Sequence, residues 1–116
     1  MDRANRVVDA YLPLKPSAFA VLAALAQGPR PGIDILEQVR ATLPGVAVLG
    51  PGTLYRVMRE LRHAGLIARA ADQPAQGIDD RQISHDLTAD GRRVMEAEAV
   101  RLERTLALAR RRRTSP

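Results

Sequence analysis

Between residues 51 and 67, Leu54, Val57, Met58 and Leu61 recur at the spacing i, i+3, i+4, i+7, which lines four apolar side chains along one stripe of a helix. That stripe must face a core, and Tyr55, Arg56, Arg59, Arg62 and His63 are then expected on the outer face. Thr53 or Gly52 is the expected cap of the first turn, and Gly65 the left-handed residue that ends the helix. Leu66-Ile67 follows at once and begins an extended segment. A capped helix that turns arginines outward and runs straight into a strand has the form of a helix that reads a DNA groove.

Upstream, the same helical period appears twice more. Ala18, Val21, Leu22 and Leu25 mark a buried helix from Pro16 or Ser17 to Gln27, stopped by Gly28-Pro29. After a turn at Pro29-Arg30-Pro31-Gly32, Ile35, Leu36, Val39 and Leu43 define a second helix from Ile33 to about Leu43, closed by Pro44-Gly45. A connector over 46–49 and the turn Gly50-Pro51-Gly52 deliver the chain to the helix above. Ahead of all these, residues 2–11 allow a short helix with Val7, Val8, Ala10 and Tyr11 on its apolar side.

Downstream, residues 66–71 and 81–87 are strand candidates around a polar tip that carries Asp72, Asp79 and Asp80. His85 alternates with Ile83 and Leu87 and is expected as a partly buried packing residue. Thr88 is the expected N-cap of a last helix that runs to about Arg112 without a proline. Within it Met95, Ala99, Leu102, Leu106 and Ala109 step by 4, 3, 4 and 3, the seam of a helix that pairs with a second copy. The fold class that follows is mainly α with a small β-hairpin wing: a winged helix-turn-helix plus a long C-terminal dimerisation helix. Its expected parts are an N-terminal arm or short helix over 1–14, a DNA-binding domain over 15–88, the dimerisation helix over 89–112 and a tail over 113–116.

Composition narrows the function. A chain of 116 residues, 46% of them hydrophobic, buries one modest core, and with three aromatics and no Trp that core is aliphatic and suits helices. The net charge of +5 is carried by arginine, since Lys15 is the only lysine, and arginine favours phosphates and guanine edges. Without cysteine there is no disulfide, thiolate zinc site or cysteine nucleophile, and a reducing compartment, the cytoplasm, is the expected location. The longest apolar run, 18–26, falls short of the ~20 residues of a membrane span, and residues 1–14 lack the apolar core of a secretory signal. His63 and His85 stand apart with no ligand spacing, so neither a metal nor a cofactor is expected. Ser17, Ser84 and Ser115 sit in no nucleophile elbow, and Gly50-Pro51-Gly52-Thr53 lacks the length and the lysine of a phosphate loop, so no enzyme is expected.

The run 22–29 (Leu-Ala-Ala-Leu-Ala-Gln-Gly-Pro), Gly32, Gly52-Thr53-Leu54-Tyr55, Leu61, Gly65-Leu66-Ile67, Leu87-Thr88 and Gly91-Arg92-Arg93 together resemble the PadR family of transcriptional regulators over about residues 18 to 93. The resemblance implies a dimeric winged helix, paired through its C-terminal helix, that represses transcription at inverted-repeat operators. It places Thr53 and Tyr55 where the family touches DNA and sets Arg59 and Arg62 on the basic face. Ile33 stands where the family often has Tyr, Arg56 where it has Pro, and Ser84-His85 where it has paired aromatics. Some members respond to small aromatic or cationic effectors bound between subunits.

The leading expectation is a sequence-specific DNA-binding regulator, a repressor acting as a homodimer. Its DNA contacts are expected from Thr53, Tyr55, Arg56, Arg59, Arg62 and His63, and from Arg69 and Arg81 in the wing. Its partners are double-stranded DNA, a second copy of itself and an unidentified small-molecule effector, with no membrane. The alternative is a winged-helix protein-interaction or dimerisation module without DNA binding, which the acidic wing tip favours.

Overall fold

The most apolar helix is also the most central. In the computed structural model, which describes residues 3–42, 50–71 and 81–111, α2 (Pro16–Ala24) follows α1 (Arg3–Tyr11) and precedes the two-residue strand β1 (Arg30–Pro31). Next come α3 (Gly32–Thr42), α4 (Pro51–His63), β2 (Ile67–Arg69), β3 (Ser84–Leu87) and α5 (Ala89–Arg110). α2 buries Ala18, Ala20, Val21, Leu22 and Ala24 and packs against α3, α4 and α5. Leu25, Ile35, Leu54 and Met58 close the same core with no exposed surface. Burying each such side chain stabilises the fold by about 1.5–3 kcal/mol, and truncating one to alanine costs about 2–5 kcal/mol.

The three strands form one antiparallel sheet in the order β1-β3-β2, which makes the chain a winged helix-turn-helix followed by a long C-terminal helix. β1 corrects the two-stranded expectation, since Arg30-Pro31 lay in what the sequence offered as a turn. Proline tolerates this place because an edge strand leaves one side of its backbone unpaired. The amides of Gly32 and Ile33 then donate to the Ile83 and Arg81 carbonyls at 3.2 and 3.0 Å, so the segment leading into β3 satisfies the first free N–H groups of α3. β2 and β3 are shorter than 66–71 and 81–87, although a hydrogen bond from the Ala70 amide to the Ser84 carbonyl at 2.9 Å extends the ladder.

Helix ends follow local chemistry with small shifts. α2 stops at Ala24, short of Gln27, with Gly28 at φ +143° in the turn that follows. α4 begins two residues before Thr53: Gly50 is the cap and Pro51 takes the first helical position, where its missing N–H costs nothing. Its other end matches the expectation, with Gly65 at φ +79°, the Leu66 amide bonded to the Leu61 carbonyl at 2.9 Å and the Gly65 amide to Arg62 at 3.0 Å. Thr88 caps α5 as expected, its hydroxyl accepting from the Gly91 amide at 3.0 Å. α1 lies on α5 and ends in a linker whose Leu14 amide donates to Glu98 Oε2 at 2.6 Å. Leu43, the Pro44-Gly45 closure, the connector 46–49, the wing tip with Asp72, Asp79 and Asp80, and the chain from Arg112 onward lie outside the described residues. Among the described residues no helix is long and apolar enough to cross a membrane.

Candidate nucleic-acid interface

Two faces of α4 divide its residues. Leu54, Val57, Met58 and Leu61 are buried as their spacing requires, and Thr53, Arg56, Arg59 and His63 are exposed on the opposite side. Thr53, Arg56, Arg59 and His63 step by 3, 3 and 4 residues and so form one continuous strip. Arg56 reaches Glu60 at 3.5 Å, an exposed i,i+4 pair of the kind that contributes little to stability and gives way easily to another anion. His63 and Arg62 occupy the last turn, where the helix dipole favours positive charge.

Tyr55 and Arg62 depart from the expected outer face. Tyr55 is 8% exposed and belongs to the core, and Arg62 is half-buried with its guanidinium Nη1 donating to His85 Nε2 at 3.0 Å. The reason is angular. Tyr55, Met58 and Arg62 are themselves spaced i, i+3, i+7, so they line the flank of the buried stripe and widen it. His85 is fully buried rather than partly so.

On the sheet, His85 pairs in register with Arg30 on one side and Arg69 on the other, so these three side chains share one face. Arg69 is half-buried and Arg81 exposed. Arg30 was not among the residues expected near the site. Its signal was Arg-Pro beside the glycine that opens α3, legible only once a third strand is known. The structure thus gathers Arg30, Arg62 and Arg69 around His85, while the helix strip of Thr53, Arg56, Arg59 and His63 stands apart from them on the outer side of α4.

The seam of α5 divides in two. Met95 is 9% exposed and packs into this chain's own core, together with Gly91, Val94 and Glu98. Those four residues sit at i, i+3, i+4, i+7, an intrachain stripe that a glycine and a glutamate hide from an apolar pattern search. Ala99 is half-buried, whereas every residue from 102 to 110 is exposed, including Leu102, Leu106 and Ala109 of the seam. Leu106 and Leu108 are 48% and 65% exposed.

Carboxylates anchor α5 to the arm. Asp90 receives both guanidinium nitrogens of Arg3 at 3.2 and 2.9 Å and Arg93 at 3.0 Å, and the Arg3 hydrogen bond foremost holds its carboxyl below the usual range. Glu98, 1% exposed, pairs with Arg101, and that bond, followed by the Leu14 amide, keeps it ionised against the cost of burial. Beside this pair lies an apolar groove of about 320 Å³ between α2 and α5, lined by Leu14, Phe19, Ala23 and Leu102 among others.

Comparison with known proteins agrees with this architecture. A transcriptional regulator from Clostridium thermocellum shares 19% identity at a TM-score of 0.62, with 94% of each chain covered. Bacillus subtilis PadR, solved in complex with operator DNA, shares 18% identity at a TM-score of 0.56, over 88% of this chain and 51% of that one. Bordetella bronchiseptica BpsR, whose DNA binding is regulated by 6-hydroxynicotinic acid, shares 26% identity at a TM-score of 0.61, over 90% of this chain and 69% of that one. No curated protein matches in sequence. The model of the transcriptional regulator PadR-like family matches residues 21–97, and the chain belongs to that family.

Proposed function

We propose that this chain is a sequence-specific DNA-binding transcriptional regulator, a repressor that acts on an inverted-repeat operator as a two-fold homodimer. The observation that carries the reading is the exposed strip Thr53, Arg56, Arg59 and His63 on a helix whose opposite face is locked into the core. In this reading the strip enters the major groove and Arg69 and Arg81 approach the adjacent backbone. Tyr55 and Arg62 support the helix from within. Residues 15–88 act as the DNA-binding part behind the arm 1–14, and 89–112 as the dimerisation helix ahead of the tail 113–116. Leu102, Leu106 and Ala109 lie where a second copy covers them, because nine residues of exposed helix bearing leucines are buried by no other element among the described residues. A small-molecule effector belongs to the same reading, as in BpsR, and the groove beside Glu98 is its candidate seat.

Selection from a random duplex library at ~150 mM salt, where non-specific contacts are already weakened, tests it. Recovery of an inverted repeat with half-site centres about one helical turn, ~10 bp, or a multiple apart is the expected result. Folded, dimeric protein that enriches nothing would shift the function to a protein-interaction module.

A further inference from the structure

The turn that closes α4 and the first turn of α5 lie in separate parts of the sequence, yet they meet backbone to backbone. The Thr88 hydroxyl donates to the Gly65 carbonyl at 2.6 Å while accepting from the Gly91 amide at 3.0 Å, and the Thr88 amide donates to the Leu66 carbonyl at 3.2 Å. Gly65 and Leu66 are the two residues that close α4 through their bonds to Arg62 and Leu61. Gly91, in the first turn of α5, is buried against Leu66 so closely that a Cβ there would overlap the Leu66 carbonyl oxygen. One hydroxyl therefore caps α5 and grips the end of α4 at once, and one missing side chain lets the two backbones touch.

We propose that Thr88 and Gly91 are positioning residues that fix the angle between α4 and α5 and thereby the half-site spacing that a dimer accepts. The inference rests on the DNA-binding dimer reading above. α5 has 22 residues. It is therefore a lever of roughly 33 Å, so a swing of about 10° at the joint moves its far end by about 6 Å, nearly two base-pair steps of ~3.4 Å. Base identity is read by the α4 strip and spacing by the joint.

Two measurements test it on the full chain. The first compares wild type, Thr88→Ser and Thr88→Val on duplexes whose half-sites are separated by spacers varied one base pair at a time. Wild type and Thr88→Ser, which keeps the hydroxyl, are expected to favour one spacer over its neighbours by about tenfold, and Thr88→Val by less than about threefold with the same half-site bases. The second uses the absence of native cysteine to place a single spin label through Glu60→Cys, and reads the distance between the two labels of the dimer without DNA. Its distribution is expected to broaden with Thr88→Val and not with Thr88→Ser. Should Thr88→Val fail to fold, Thr88→Asp keeps a cap for the Gly91 amide but has no proton for the Gly65 carbonyl, and carries the same expectation.

An unchanged spacer ratio and an unchanged distance distribution overturn the proposal. So does a uniform loss on every spacer and on isolated half-sites, which is what a merely structural role gives. A wild-type dimer without any sequence preference overturns the DNA reading, and the spin-label distances then decide the joint by themselves.

Discussion

Arg62 Nη1 donates to His85 Nε2 at 3.0 Å, which ties the last turn of α4 to the middle strand of the sheet from beneath. The arginine that sequence placed toward DNA is thus part of the mounting of the helix, and acceptance at Nε2 leaves the ring proton of His85 on Nδ1. A double-mutant cycle measures the link. Arg62→Met and His85→Leu are each expected to destabilise the fold by roughly 1–3 kcal/mol, with a coupling of about 0.5–3 kcal/mol in urea unfolding. Strictly additive losses would show that the two side chains are neighbours without a shared bond.

Gly91 and Gly52 make a matched pair, both in the first turn of a helix. Gly91→Ala drives a methyl into the Leu66 carbonyl and is expected to cost about 1–3 kcal/mol net, outweighing a helix-propensity gain of about 1 kcal/mol. At Gly52 an added Cβ meets nothing within 4 Å. Gly52→Ala should leave the urea midpoint unchanged or raise it, and equal losses at both positions would refute the close approach at Leu66.

Acid should loosen the arm. The folded-state pKa of Glu98 is depressed by Arg101 and the Leu14 amide, so its contribution is present above its unfolded pKa of about 4 and is lost as pH falls through the lower folded value. Asp90, lowered by Arg3 and Arg93, titrates in the same direction. The melting temperature of wild type is expected to fall between pH ~5 and ~3, and Glu98→Gln to flatten that slope while lowering stability at neutral pH. Parallel slopes for the two proteins would remove Glu98 from the acid response.

Arg59 has an exposed place on the α4 strip and no role in the core. Arg59→Ala is expected to leave the melting curve intact and to lower operator affinity by about 1–3 kcal/mol if it reads a base, or to reduce the salt slope by ~0.9 if it neutralises a phosphate. Titrations at two or more salt concentrations separate the two. Wild-type affinity at every salt would exclude Arg59 from the interface.

In the proposed dimer Leu106 separates pairing from folding, because it is 48% exposed and lies beyond the part of α5 that touches the core. Leu106→Glu should convert the dimer to monomer in sedimentation experiments at micromolar protein while helical content persists. Met95→Glu, by contrast, should unfold the chain. An unaffected dimer for Leu106→Glu would place the pairing surface elsewhere.

Local rules were enough to read much of this protein from its sequence. Apolar spacing located α2, α3, α4 and α5, and Gly65 and Thr88 marked the close of α4 and the start of α5, since capping and helical period act over a few neighbouring residues. Family motifs such as Gly52-Thr53-Leu54-Tyr55 pointed to a winged helix for the same reason.

Tertiary packing decided what local period leaves open, namely how wide each buried stripe is and what lies across from it. Tyr55 and Arg62 carry polar groups and so read as outward, yet their angle about α4 places them on the buried flank, where an aromatic ring and an arginine stem can pack. Glu98 and Gly91 hid the intrachain stripe of α5, because a buried carboxylate is admissible only once Arg101 and the Leu14 amide are in place, 3 residues away in sequence for one and 84 for the other. Met95 therefore turned inward to the core rather than toward a second copy. β1 and the row Arg30, His85, Arg69 exist only as pairings between distant segments, and a sequence carries no period for a contact that the chain makes by folding back on itself.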